Sequence, residues 1–284
     1  MLIYVTYVSM WFKIKEMKKI FVLLVLIMAT FAIQAQNTKL VPPITRVPDS
    51  LKLDKFYKKY MSANGIAITA SWRVPDTAMF QAWRILDFMT RDLPKPVLDA
   101  MVKVKTRVTV MARYEGTTDV PEHAHLAADT TLNWDLRARG LGGDLELPLT
   151  SCAEENLLAY QIDKYHAEDI LIHEFAHSIH LIGIVQVDPT FNQKLEKLLN
   201  QAVAKGKYAN TYAKTDIAEY WAEGVQDWFN VNAEVPKPDG KHNALNTREE
   251  LKKYDPDLYE LLSYYFSEFK ESPSKHKKVN LYKI

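Results

Sequence analysis

The sequence predicts an α+β domain with a small mixed sheet in its first half and a mostly helical C-terminal half. Three observations carry this. Short β-rich runs, Gly65 to Ser71 (GIAITAS) and Arg107 to Arg113 (RVTVMAR), alternate with helical periodicity before residue 114. From about Ala167 onward, apolar residues recur at helical spacing in successive segments. With 284 residues, 48% hydrophobic and 25% charged, the composition is that of a globular chain able to bury a sizeable core.

The elements follow in chain order. Met17-Lys18-Lys19, the apolar run Ile20 to Ile33 and the small residues Ala32 and Ala35 read as a secretory signal, cleaved after Ala35. The apolar run is shorter than the roughly 20 residues of a spanning helix, so no stable membrane span is expected after its removal. Residues 1–16 do not fit in front of such a signal, which places the expected start at Met17. An exported protein follows, in the periplasm, on the cell surface or in the medium.

Removing residues 1–35 leaves 32 basic against 34 acidic residues, a balance that implies no nucleic-acid partner. Cys152 is the only cysteine, which excludes an internal disulfide and a Cys-ligated metal. Residues 36–49, with Pro42, Pro43 and Pro48, form an extended lead-in, and residues 50–270 a single domain. A helix is expected from Asp49 or Ser50 to Met61, then a strand over Gly65 to Ser71. Helices over Asp76 to Arg91, with Phe80, Trp83, Ile85 and Phe88 available to the core, and over Pro96 to Val102 lead to the Arg107 to Arg113 strand.

Tyr114 to Gly143 is a long loop rich in turn residues. Asp144 to Leu149 reads as an edge strand, because Pro148 cannot donate to a central ladder. A helix Asn156 to Asp163 follows, then helices Ala167 to Leu181, Pro189 to Lys205, Asp216 to Asn230 and Arg248 to Lys270. Residues 271–284 form a basic, solvated tail.

Within the helix around EDILIHEFAHSIHLIG, His173-Glu174-Phe175-Ala176-His177 is an HExxH motif. On an α-helix, histidines at i and i+4 project from one face about one turn apart, so both imidazoles can reach one Zn2+. Zinc lowers the pKa of a bound water to about 7, and Glu174 beside it can take a proton as the water attacks a carbonyl. An apolar helix carrying two histidines and a glutamate inside otherwise hydrophobic sequence would be costly without a partner for those groups.

A third protein ligand must come from elsewhere. The metzincin continuation needs a glycine at 180 and a histidine at 183, where this chain has His180 and Gly183. Asp216 to Asn230 supplies Glu219 and Glu223, one turn apart on one face, and either can be the ligand. The other would then accept a hydrogen bond from a ligating imidazole. A thermolysin-like arrangement would take Glu223, with Asp227 behind it.

The segment Thr211 to Glu223 (TYAKTDIAEYWAE) resembles the third-ligand segment of the catalytic domain of anthrax lethal factor and its relatives, and HEFAH is equally similar to that family's helix. The likeness covers residues 170–230. It implies a gluzincin, a zincin-like metallopeptidase, with Glu219 as ligand, Glu223 as the acceptor behind it and Tyr212 as the phenol that stabilises the oxyanion or leaving group. A neighbouring Tyr208 could otherwise be confused with it.

Lesser candidates are His180, expected as a half-exposed helix histidine, and Glu122-His123-Ala124-His125, a second metal site only if alternating loop residues converge. In Trp134 to Gly143 the glycines allow close backbone approach, while Arg137 and Arg139 could bind a substrate carboxylate or pair with Asp135. The function expected is secreted zinc-dependent cleavage of peptide or protein substrates. The alternatives are an exported binding protein with a structural or vestigial zinc site, and a zinc hydrolase of a non-peptide substrate.

Overall fold

The computed structural model describes residues 40–276 and Lys19, so the expected signal and the residues after His276 lie outside the described residues. The first regular structure is a β-hairpin, β1 (Lys59–Ala63) and β2 (Ile66–Ala70), paired antiparallel with Met61 opposite Ile68. Its two-residue turn is Asn64-Gly65, both at positive φ (50° and 89°), which a tight hairpin requires and which Asn and Gly tolerate best. The helix expected from Asp49 or Ser50 to Met61 is therefore absent. Only Asp49–Leu51 makes a single 3-10 turn, closed by Lys52 at φ 51°.

Helices α1 (Asp76–Thr90) and α2 (Lys95–Lys103) follow, each entered through a proline, and α1 packs on the hairpin through Ala78, Met79, Ala82, Ile85 and Leu86. The Trp83 indole N–H anchors α1 by donating to the Ser62 carbonyl at 3.0 Å. Phe80, expected inside, lies on the outer face.

The chain then enters the sheet again as β3 (Arg107–Met111), and later as β4 (Gly140–Leu141) and β5 (Leu149–Ala153). The spatial order is β1-β2-β3-β5-β4, with β2, β3 and β5 mutually parallel and both outer pairs antiparallel. Every residue of β5 is buried, as expected of a parallel strand covered on both faces.

The edge strand is thus Gly140–Leu141 rather than Asp144 to Leu149. Asp144 instead turns the chain, its carboxylate accepting from the backbone N–H groups of Glu146 and Leu147 at 2.9 and 2.8 Å. The helix expected over Asn156 to Asp163 shrinks to one turn, Glu154–Leu157. There the Asn156 side chain competes for backbone groups, donating to the Glu168 carbonyl and accepting from Ile170 N–H.

The C-terminal half is helical: α3 (Ile170–Ser178), α4 (Phe191–Ala204), α5 (Ile217–Trp228), α6 (Arg248–Tyr254) and α7 (Pro256–Tyr265). The single helix expected over Arg248 to Lys270 is split at Pro256, which has no N–H to continue α6. Asp255 at the break accepts hydrogen bonds from the phenols of Tyr208 (3.1 Å) and Tyr220 (2.7 Å).

Past Ser178, α3 widens into a π-helical turn, Ile179–Ile184. A Cβ at Gly183 would lie 2.8 Å from Val97 Cγ1 and 3.0 Å from Met101 Cγ, so this glycine lets the widened turn seat on α2. The stretch Ile170–Val187 is long and apolar enough to cross a bilayer, yet 72% of it is buried inside this core. The tail is not solvated throughout. Ser272, Ser274 and His276 are buried, and Ser274 and His276 bond to Asp169 and the Asn156 carbonyl at the start of α3.

Candidate metal centre

The centre is built by α3 and α5, held against each other by a hydrogen bond from the Trp221 indole to the Ala176 carbonyl at 2.9 Å. Both helices begin at side-chain caps. Asp169 accepts from Ile172 N–H (3.1 Å), and Asp216 accepts from Ala218 and Glu219 N–H (2.8 and 2.9 Å). These caps fix where the first turns start, and so the height at which His173 and Glu219 face each other.

His173 Nε2, His177 Nε2 and Glu219 Oε2 form a nearly equilateral triangle with edges of 3.1, 3.3 and 3.6 Å. A tetrahedral zinc with bonds of about 2.0 Å needs ligand-to-ligand edges of about 3.3 Å. The donor set and the spacing both fit the ion, and among the described residues this is the one group of His, Cys, Asp or Glu so arranged. His173 Nδ1 donates to Gln226 Oε1 at 2.8 Å, leaving the Nε2 lone pair directed into the triangle. Gln226 is in turn fixed by Glu168 Oε2 and the Asp169 carbonyl, each at 3.3 Å.

The acceptor expected behind the imidazole was Glu223. Its carboxylate comes only to 3.8 Å from His173 Nδ1 and instead accepts from Asn232 at 3.0 Å. Gln226, three residues on, takes that place. It sits one turn further along the same helix face, which was the signal in the sequence that could have marked it.

The charged groups around the triangle act strongly on one another. Burial opposes charge on His173, but its hydrogen bond to Glu219 and the charges of Glu174, Glu223 and Glu219 win, lifting it to about 10. Burial likewise opposes charge on Glu219, yet hydrogen bonds from His173 and His177 hold it below the usual carboxylate range. Burial raises Glu174, against the pull of the two histidines. The phenol of Tyr212 is pushed up to about 12 by burial and by the Glu219 charge, and its ring stacks on His173 at 6.5 Å between centroids.

The triangle opens into a cavity of about 400 Å³ lined by Glu174, Tyr212, Tyr165, His242 and the β4 backbone. The edge strand lies directly on the metal helix. A Cβ at Gly142 would come 2.7 Å from His177 Cβ, and one at Gly140 would come 2.5 Å from Ile170 Cγ2 and 3.1 Å from Glu174 Cγ. Gly142→Ala is therefore expected to displace His177 and weaken zinc binding by about ten- to a hundredfold, the range seen when the support of a ligand is disturbed. Titration against a chromophoric chelator measures it, and an unchanged affinity would mean the strand yields instead.

The lesser candidates part ways. Glu122 is taken by Tyr57 and Arg107, His123 is buried, and His125 is exposed, so they do not converge. Arg139 is committed to Glu155 (2.5 and 3.1 Å) and to the carbonyls of Ala112 and Glu115, while Asp135 accepts from Thr118 rather than from an arginine. Cys152 is buried, and burial pushes its thiol up.

His180 is fully buried rather than half-exposed, wedged between Phe191 and Trp221. Its Nε2 donates to Asn192 Oδ1 at 2.7 Å, while Nδ1 has no hydrogen-bond partner, so a second proton would find no acceptor. Burial accordingly holds its pKa down to about 4, against 6.5 in an unfolded chain. Between those values the unfolded chain binds more protons, so stability is present above pH 6.5 and is lost as pH falls toward 4. Thermal midpoints are expected to drop across that window, and less steeply in His180→Gln, which keeps an N–H for Asn192 without titrating. Identical slopes in the two proteins would discount His180.

No family model matches the chain, and a search of curated proteins finds no match. Among solved structures, the PRO-PRO endopeptidase (PPEP-2) from Paenibacillus alvei is similar over 71% of this chain and 98% of its own, at 16% identity and a TM-score of 0.40.

Proposed function

We propose that the chain is an exported zinc-dependent hydrolase of peptide bonds, a zincin-like metallopeptidase of the gluzincin type, with His173, His177 and Glu219 as its metal ligands. The observation that carries this is the triangle of two imidazole nitrogens and one carboxylate oxygen with edges of 3.1 to 3.6 Å, open on one side to a cavity. Bound zinc supplies a Lewis acid that polarises a carbonyl and lowers the pKa of water to about 7.

The chain's own groups do the rest. Glu174 stands beside the ligands but outside the triangle, and burial raises its proton affinity, which suits a base that must take a proton from water and return it to the leaving amine. Tyr212, protonated through the neutral range, donates to the oxygen on which charge develops. An extended peptide can add antiparallel to β4, whose outer edge pairs with no other strand among the described residues and whose backbone borders the cavity. Export rests on the signal features of residues 17–35.

Zinc quantification on the purified protein, coupled to mass-spectrometric cleavage profiling of a peptide mixture, tests the proposal. One equivalent of zinc and cleavage abolished by chelation are expected. Four protein ligands around the ion, with no turnover, would make the site structural.

A further inference from the structure

The cavity beside the triangle has acids and bases in unequal states. Of the acids on its wall outside the ligand triangle, Glu174 is assigned above as the base, Glu223 accepts from Asn232, Asp144 holds its own turn, and Glu168 accepts from Gln226 and faces His242 Nε2 at 3.7 Å. Two bases on the wall are not engaged in this way. Among the described residues, neither the Arg137 guanidinium nor the Lys241 ammonium makes a hydrogen bond, ion pair or ring contact, and both are exposed to the cavity mouth.

Their backbones, in contrast, are pinned. Arg137 ends the one-turn helix Trp134–Arg137, capped by Asn133 (3.2 Å to Leu136 N–H) and tethered by the Trp134 indole to Asp129 (2.9 Å). The ammonium of Lys164 closes its other end, donating to the carbonyls of Leu136 and Arg137 at 2.6 and 3.2 Å. The Lys241 carbonyl accepts from Tyr212 N–H at 2.8 Å, and Lys241 N–H donates to Asp239 at 2.9 Å. The same short segment thus carries the Lys241 charge and fixes the tyrosine next to the ligands.

Lys164 lies in the field of several cations, and the acid that acts on it, Glu155, is already paired with Arg139. Burial, then the charges of Arg139, Arg137 and Lys241, lower the pKa of Lys164. The Arg137 charge also acts on the phenols of Tyr165 and Tyr212, so it reaches into the cavity rather than away from it. A positive rim with free donors, set on rigid backbone beside a reaction centre, suits an anion brought in by the ligand.

We propose that Arg137 and Lys241 form a carboxylate-binding subsite of the cleft, selecting peptides that present an acidic side chain or a free C-terminus beside the scissile bond. This rests on the peptidase function proposed above and sharpens its substrate class. Arginine gives the planar fork for two parallel hydrogen bonds, and Lys241 adds a point charge.

The test uses zinc-loaded Glu174→Gln protein, so that binding is read without turnover. Short peptides in matched pairs, Glu against Gln at each position and free against amidated C-terminus, are measured by calorimetry. The charged member of at least one pair is expected to bind about tenfold tighter, with the advantage shrinking as salt is raised. The Glu/Gln pairs and the free/amidated pairs tell which carboxylate is held. In Arg137→Gln/Lys241→Gln the preference is expected to vanish while zinc content stays at the parent level.

Equal affinity within every pair, no binding of any peptide, or a preference that survives the double substitution would overturn the subsite. Cleavage of the same peptides by the unsubstituted protein is scored separately. If the charge preference holds but nothing is cleaved, the hydrolase function falls and the subsite stands.

Discussion

Glu174→Gln is expected to lower kcat by about a thousandfold, within the 10² to 10⁴ that general acid–base catalysis contributes, while the protein keeps its zinc. The two halves of this result come from separate features. Glu174 is on the metal helix but outside the triangle formed by His173, His177 and Glu219, so the amide leaves the donor set intact. Its side chain is confined by the β4 backbone, since even a Cβ on Gly140 would approach Glu174 Cγ to 3.1 Å. Gln has the same shape and is held in the same place, but it cannot take a proton from water. Zinc content per chain and single-turnover rates on one cleaved peptide measure the two quantities. Full activity in the variant would remove Glu174 from the chemistry, and loss of zinc would make it a ligand.

The site was more legible in the sequence than the sheet that supports it, for a physical reason. HExxH and the Glu219/Glu223 pair are local: helical spacing alone puts His173 beside His177 and Glu219 beside Glu223, whatever the remainder of the chain does. Choosing between the two glutamates needs the angle at which α5 meets α3, which is set by distant contacts such as the Trp221 indole on the Ala176 carbonyl. In the structure the Glu219 oxygen lies 3.1 Å from His173 Nε2, whereas Glu223 comes only to 3.8 Å from His173 Nδ1. Gln226 was missed because a neutral amide announces no chemistry until its partner is known.

The sheet errors have one kind of origin. At Asp49 to Met61 a capping residue followed by mixed polar and apolar residues has a helix-like pattern, but Asn64-Gly65 is the stronger, hairpin signal. At Asp144 to Leu149 the alternation resembles a strand, but the Asp144 side chain accepts from the amides of Glu146 and Leu147 and makes a turn. The real strand, Leu149–Ala153, is buried on both faces and so shows no alternation to read. The glycines of Gly140 to Gly143 were singled out as places where backbone could approach a ligand; what Gly140 and Gly142 approach is the metal helix itself.

Glu219→Ala is expected to remove tight zinc binding, whereas Glu223→Ala leaves it within about tenfold and Gln226→Ala falls between. If an apparent zinc-binding energy of about 10–16 kcal/mol is shared by three protein ligands, about 3–5 kcal/mol each, losing one weakens binding by about 10²- to 10⁴-fold. Gln226 touches no metal, but without it His173 Nδ1–H loses its acceptor at 2.8 Å and the ring its orientation, a change in the ten- to hundredfold class. Glu223 is 3.8 Å from that nitrogen and already paired with Asn232, so its loss leaves the imidazole held by Gln226. Competitive zinc titration ranks the three variants, and thermal melts give a second readout. Zinc at about 1,000 times its dissociation constant stabilises a binding-competent fold by about 4 kcal/mol, so the parent, Glu223→Ala and Gln226→Ala melts rise with added zinc while the Glu219→Ala melt rises least. An inverted order, with Glu223→Ala losing the metal and Glu219→Ala retaining it, would hand the third ligand to Glu223 and replace the lethal-factor-like arrangement with the thermolysin-like one.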